Sequence, residues 1–188
     1  MNIFYLSECP VQSAQWMVDR HVVKMILESA QLLSTAHRIL DGTEYEGRTQ
    51  TGRKVRRWFL PDEREFVIYT ATHINHPSAV WARTSVENYN WLVDHFFALM
   101  AEYNHRYDKH HKCFGEISYL LQSPPHNLRD YDMTEMPSCM DDKYKVSDDP
   151  IENYRNYYIK GKSHMFNWKN RNPPHWLKEH IYGEMGPY

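Results

Sequence analysis

Between Ser78 and Arg106, Trp81, Asn88, His95 and Glu102 recur every seven residues, and Arg106 follows one helical turn further along the same face. Trp91, Leu92, Leu99 and Tyr103 flank this stripe, while Arg83, Glu87, Asn90, Asp94 and His105 take the opposite, solvated side. A helix patterned this way turns amide, imidazole, carboxylate and guanidinium groups towards its aromatic, inward face. Burying them costs several kcal/mol unless each is paired. They must therefore form a connected network or line a ligand pocket, and the pattern leaves both open.

An earlier helical stretch is predicted to open at Pro10, with Ser7 as a possible cap, and to run to Leu40, where Asp41-Gly42 stops it. On its wheel His21, Lys24, Glu28, Gln31, Thr35 and Arg38 make one narrow polar stripe. Val22, Val23, Ile26, Leu27, Ala30 and Leu33 form a broad apolar face, and Val18, Met25 and Leu32 a second. Such a helix is sandwiched, so its stripe faces solvent or a cleft. Asp19 and His37 fall within the broad apolar face, where they are expected to hydrogen-bond other buried groups.

Residues 42–57 read as a loop carrying Arg48, Arg53, Lys54, Arg56 and Arg57, either a solvated connection or a phosphate-contacting segment. Phe66 to Thr72 suits a short strand or a helical turn equally, and His76-Pro77 breaks the chain before the second long helix. A shorter helix is predicted over Glu116–Gln122, followed by an acidic, irregular and lid-like connection from Arg129 to Glu152. The last helix, from about Pro150 to Asn170, interleaves Tyr154, Arg155, Tyr157, Tyr158, Lys160 and Lys162 before Trp168 and Lys169. Basic groups among aromatics serve phosphate contact with base stacking, or simply a tyrosine-rich packing surface. Pro173-Pro174 then precede an aromatic tail. The expected architecture is all-α: a compact single-domain bundle over residues 1–188 with two long helices, a C-terminal helix and long irregular connections.

A net charge of -2 excludes a histone-like polycation, so contact with nucleic acid must come from a local patch. Cys9, Cys113 and Cys139 are odd in number and lack metal-type spacing, which argues against a secreted disulfide framework and a thiolate zinc site. No apolar run reaches a membrane span of roughly 18 residues, and the start lacks the form of a signal peptide. A cytoplasmic location without membrane contact is expected, while the oligomeric state stays open.

The polar stripe offers one catalytic unit, Glu28 with His21 two turns earlier and Lys24 between them, suited to general acid–base work. His21 and Glu28 lie too far apart on one helix to chelate a single ion, although His73, His76 or His95 could add ligands from elsewhere. Neither a metal nor a cofactor is expected. Gly-rich phosphate loops, GxSxG elbows and His-Glu-x-x-His helices are absent from the sequence, which removes those nucleotide-hydrolysing, esterase and metalloprotease classes.

Three segments, Asp19-Arg20-His21-Val22-Val23-Lys24-Met25, His76-Pro77-Ser78-Ala79-Val80-Trp81-Ala82-Arg83 and Tyr154-Arg155-Asn156-Tyr157-Tyr158, resemble a family of phage proteins common in phages of cyanobacteria. That likeness spans nearly the whole chain and implies a phage origin, with the host cytoplasm as location, but no activity. The first helix also resembles that of the small all-α phage pyrimidine-dimer DNA glycosylases, where an Asp-x-His precedes a catalytic Glu by seven residues. Here the motif falls on Asp19, His21 and Glu28. The resemblance implies that the terminal amine attacks the sugar carbon of a damaged nucleotide, that the Glu assists, and that the strand is cut by β-elimination through a Schiff base. This sequence departs from the pattern in two places: Asn2 is bulky enough to favour retention of Met1, and Leu27 stands where the resembled motif has an arginine.

The leading expectation is a glycosylase-like enzyme acting on a damaged or modified base, with DNA or a nucleotide as its ligand. Glu28, His21 and Lys24 would do the chemistry. Gln31, His76, Trp81, Asn88, Trp91 and His95, together with Glu102, Arg106, Tyr154, Arg155, Tyr158 and Lys162, would bind substrate, and extrusion of the base would give access. The alternatives are a protein that sequesters or hydrolyses a nucleotide signal of host defence, or an interaction protein whose polar network merely fixes its core.

Overall fold

Two extended residues, Met17 and Val18, divide the first helical stretch into α1 (Pro10–Trp16) and α2 (Asp19–Asp41) of the computed structural model, which describes residues 1–177. No glycine or proline marks this break. The carbonyls of Gln15 and Met17 accept from the Arg106 guanidinium at 3.0 and 2.8 Å, so a side chain from a distant helix satisfies the end of α1. A second break separates α4 (Pro77–Trp81) from α5 (Val86–Tyr107), where the Ser85 hydroxyl caps α5 by accepting from Asn88 N–H at 3.1 Å. Both helices expected to be continuous are thus split.

The all-α expectation is corrected at residues 43–59, which form an antiparallel hairpin rather than a loop. Its strands β1 (Thr43–Arg48) and β2 (Lys54–Phe59) pair from Thr43↔Phe59 to Arg48↔Lys54. Gly52, with φ +82°, makes the turn that a side chain would strain. Cross-strand pairs Arg56–Glu44 at 2.6 Å and Lys54–Glu46 at 2.9 Å run along one face, with Arg56 lying over the buried Trp58 ring. The fold is therefore mixed, mostly helical with a two-stranded sheet.

The ambiguous stretch after the hairpin resolves into one helical turn, α3 (Arg64–Val67), followed by extended chain. Arg38, drawn into the core from the polar stripe of α2, donates to the carbonyls of Trp58, Glu65, Ile68 and Tyr69 and pairs with the Glu65 carboxylate. This single side chain pins the hairpin exit and α3 to α2.

α6 (Glu116–Leu121) is the predicted short helix, and the acidic connection is irregular apart from a 3₁₀ turn at Asp142–Tyr144. α7 (Pro150–Lys162), capped by Asp149 and extended by a 3₁₀ turn over Ser163–Met165, is the C-terminal helix, shorter than expected. Of the aromatic tail, 178–188 lie outside the described residues. α2, α5 and α1 enclose the core, into which the amino-terminal segment sends Ile3, Phe4 and Leu6. Among the described residues no helix is long and apolar enough to cross a membrane.

Candidate functional site

Glu28 sits midway along α2 with its carboxylate at the edge of the core, where the amino-terminal segment crosses the helix. Its Oε2 accepts from the Asn2 backbone N–H at 3.0 Å and lies 3.9 Å from the Met1 amine, while its Oε1 is 3.1 Å from Lys24 Nζ one turn earlier. The Lys24 side chain is 70% exposed and that of Glu28 only 13%, so the carboxylate is sheltered under a cation that remains free to meet solvent or a ligand.

Local structure fixes the amino terminus against this carboxylate. The ring of Phe4 stacks on His21 with centroids 4.1 Å apart and meets Tyr154 and Tyr158 edge-on. Phe4 itself has φ +57°, a left-handed conformation that costs a β-carbon residue roughly 1–3 kcal/mol and bends the segment there. Asn2 is held by its side chain: Nδ2 donates to the Cys139 carbonyl at 2.7 Å, and Oδ1 accepts from Tyr154 Oη–H at 2.8 Å.

His76 completes the group. Its Nδ1 accepts from Ser78 N–H at the start of α4, so the neutral ring carries its proton on Nε2. Burial lowers its pKa, and the positive charges of the Met1 amine and His73 lower it further, against an opposing pull from Glu28. The imidazole is thus near enough to both the amine and the carboxylate to feel each charge. Gln31 stands half-buried on the same helix one turn beyond Glu28.

Other candidates are committed elsewhere. His21 is buried, with Nδ1 2.5 Å from Tyr158 Oη, and burial reinforced by the charges of Lys162 and Lys24 pushes its pKa down to about 3, so it is neutral at ordinary pH. Asn88 donates to the Trp81 carbonyl and exchanges bonds with Thr134, whose carbonyl accepts from Trp81 Nε1. Trp91 donates to Glu8 O and stacks on His95, which meets the Pro10 carbonyl through Nδ1 at 3.0 Å and whose buried Nε2 has no hydrogen-bond partner among the described residues. Glu102 and Arg106 pair at 3.1 Å with each other and join Asp19 and Arg171 in one ion cluster. Arg155 donates to Leu6 O and lies over Trp16, and Lys162 lies over Tyr157.

The inward stripe of α5 is thus several separate internal arrangements. The structure gathers Glu28, Lys24 and His76 at the amino terminus and brings Tyr154 there through Asn2. Asn2 and Cys139 carry no periodic signal, which is why sequence patterns pass over them. Among the described residues no group of three His, Cys, Asp or Glu side chains is arranged to hold a metal ion.

The Met1 amine and the Glu28 carboxylate thus lie 3.9 Å apart, with the half-buried His76 imidazole within reach of both charges. A family model described as pyrimidine dimer DNA glycosylase matches residues 1–115 of the 188, and the chain belongs to that family. No curated protein and no solved structure matches the chain.

Proposed function

We propose that this protein excises damaged bases from DNA, with the Met1 amine as nucleophile and Glu28 as the group that receives and returns protons beside it. The observation that carries this reading is the 3.9 Å approach of the amine to the Glu28 carboxylate, in a chain of the pyrimidine-dimer glycosylase family. The amine nitrogen attacks C1′ of an extruded nucleotide, and the C1′–N glycosidic bond breaks, its electron pair leaving with the base. Glu28 accepts the proton released by the new C1′–N(Met1) bond and delivers it to the sugar O4′ as the ring opens to an imine. Glu28, free again, takes a proton from C2′, the C2′–H electron pair forms the C2′–C3′ double bond as the 3′ phosphate leaves with the C3′–O pair, and water hydrolyses the imine to release the unsaturated aldehyde and restore the amine.

His76 Nε2–H donates to the departing base or to a flanking phosphate, with Gln31 next to it. Lys24 holds a phosphate beside Glu28. His21, uncharged and buried, supports Phe4 by stacking, and Tyr158 holds His21. Along α2 the distance from Glu28 to Asp41 is roughly 20 Å, more than half a turn of duplex. The hairpin that follows α2 carries Arg48, Arg53 and Arg57 in addition to its paired cations. It supplies a local positive patch of the kind that a chain of net charge -2 needs to contact DNA.

Borohydride reduction in the presence of a duplex bearing one abasic aldehyde tests the reading. The wild type is expected to form a covalent adduct that peptide mapping places on Met1, and Glu28→Gln is expected to form it at least 100-fold more slowly, on the order of losing a positioned acid–base group, with an unchanged melting temperature. An adduct on a lysine, or full activity in Glu28→Gln, would overturn the assignment.

A further inference from the structure

The hydrogen bonds around Asn2 come from two regions far apart in sequence. Its backbone N–H belongs to Glu28, inside the family-matched region, while its side chain belongs to Cys139 and Tyr154, outside it. Tyr154 is fully buried in α7, and its hydroxyl is anchored three ways: its proton lies between Asn2 Oδ1 at 2.8 Å and the Pro137 carbonyl at 2.9 Å, and its oxygen accepts from Cys139 N–H at 3.2 Å. Asn2 Oδ1 also accepts from Ile3 N–H at 2.8 Å, so the amide oxygen is engaged twice while Nδ2 holds the Cys139 carbonyl, which fixes the orientation of the amide.

From this we infer that Tyr154 and the 137–139 segment are a positioning clamp for the reacting amine, a role that rests on the glycosylase reading above. The Met1 nitrogen is one peptide unit from the clamped residue. With Asn2 fixed at N–H, Nδ2 and Oδ1, rotation about the few bonds between them is all that separates the amine from its attacking position. Unclamped, the first residues of a chain fray and sample many directions. A nucleophile held in place gains rate through lost rotational freedom, and displacement by about 1 Å can cost roughly 100-fold. Tyr154 acts only through Asn2. It needs no contact with DNA, which separates it from a residue that binds or stacks on the strand.

The test compares wild type, Tyr154→Phe and Asn2→Ala with the abasic duplex at saturating concentration, reading the single-turnover rate of borohydride-trapped adduct, the DNA dissociation constant, the melting temperature and amide exchange of Ile3 and Phe4 by NMR. Asn2→Ala opens the clamp from its half-exposed side and leaves the Tyr154 packing in place. The expected result is a 10- to 100-fold slower adduct in both variants, on the scale of a displaced nucleophile, with DNA affinity within about twofold and faster exchange confined to the first residues. Unchanged adduct rates in both variants overturn the clamp, as does a loss that follows melting temperature or DNA affinity. Should the wild type trap no DNA, the glycosylase reading falls, and the clamp is then judged by exchange alone: Ile3 and Phe4 amides as protected in both variants as in wild type would remove it.

Discussion

Arg106, near the end of α5, reaches Asp19, the first residue of α2, at 2.9 Å, and the Arg106 side chain is wholly buried. Around this pair Glu102 binds Arg106 and Arg171, while the remaining Asp19 capacity goes to Asn167 Nδ2 and Lys169 N–H. A buried ion cluster so fully bonded makes no large net contribution, but removing one member strands the rest. Arg106→Ala is expected to cost about 3–5 kcal/mol, a fall in melting temperature on the order of 10 °C. It would also release the α1 carbonyls. Denaturant unfolding measures this directly, and a loss below about 1 kcal/mol would show that the cluster is dispensable.

The hairpin arginines give a prediction about binding rather than chemistry. Arg53 and Arg57 make no ion pair among the described residues. Replacing both by alanine should weaken duplex binding and reduce the slope of log K against log salt by about two. The adduct rate at saturating DNA should be unchanged. An unaltered salt slope would move the strand to another surface.

Three buried histidines make stability depend on pH in one direction. Burial is the largest cause in each: His21 is lowered to about 3, while His37, further lowered by the Arg64 charge, and His95 are each lowered to about 4. In the unfolded chain each titrates near 6.5. Between these values the unfolded chain binds protons that the folded chain refuses, so their contribution is complete above pH 6.5 and disappears as pH falls towards 4 and 3. Each can add a slope of up to about 1.4 kcal/mol per pH unit. Urea unfolding at pH 7, 6 and 5 should show a steep decline, and a flat profile would mean that these rings take up protons without unfolding.

A smaller effect is expected at Ser85. Its hydroxyl accepts from Asn88 N–H and is buried, so Ser85→Ala leaves an orphan donor at the start of α5. The expected loss is about 1 kcal/mol, read by thermal unfolding, and Ser85→Asp should recover part of it. Equal stability of Ser85→Ala and wild type would assign the capping to another group.

What the sequence made legible follows from how each feature is encoded. The α5 stripe and the inward Asp19 and His37 could be read because helical period exposes a polar group on an apolar face; Arg64 Nη1 donates to His37 Nδ1, leaving Nε2–H for Tyr89 Oη, as a buried histidine requires. The hairpin was invisible to that method because both its faces are largely wet, so no alternation of apolar residues marks its strands. The break at Met17-Val18 depends on Arg106, far along the chain, and no local residue announces it. Ser85 was a readable stop that sustained periodicity obscured. At the site, Glu28 emerged from its stripe and from a family likeness, but Asn2 and Tyr154 are joined across 152 positions, a distance no pattern of spacing bridges.

The ion cluster also bears on how such a gene can be cut or recombined. Asp19 and Glu102 both lie inside the stretch shared with the glycosylase family, yet Asn167, Lys169 and Arg171 complete their bonding from well beyond it. A reading frame ended after codon 115 would encode two sheltered carboxylates with most of their donors missing, only Arg106 remaining to each. The two parts of the message are therefore expected to travel together, since a transplanted front portion would arrive with anionic acceptors that no new neighbour was shaped to meet.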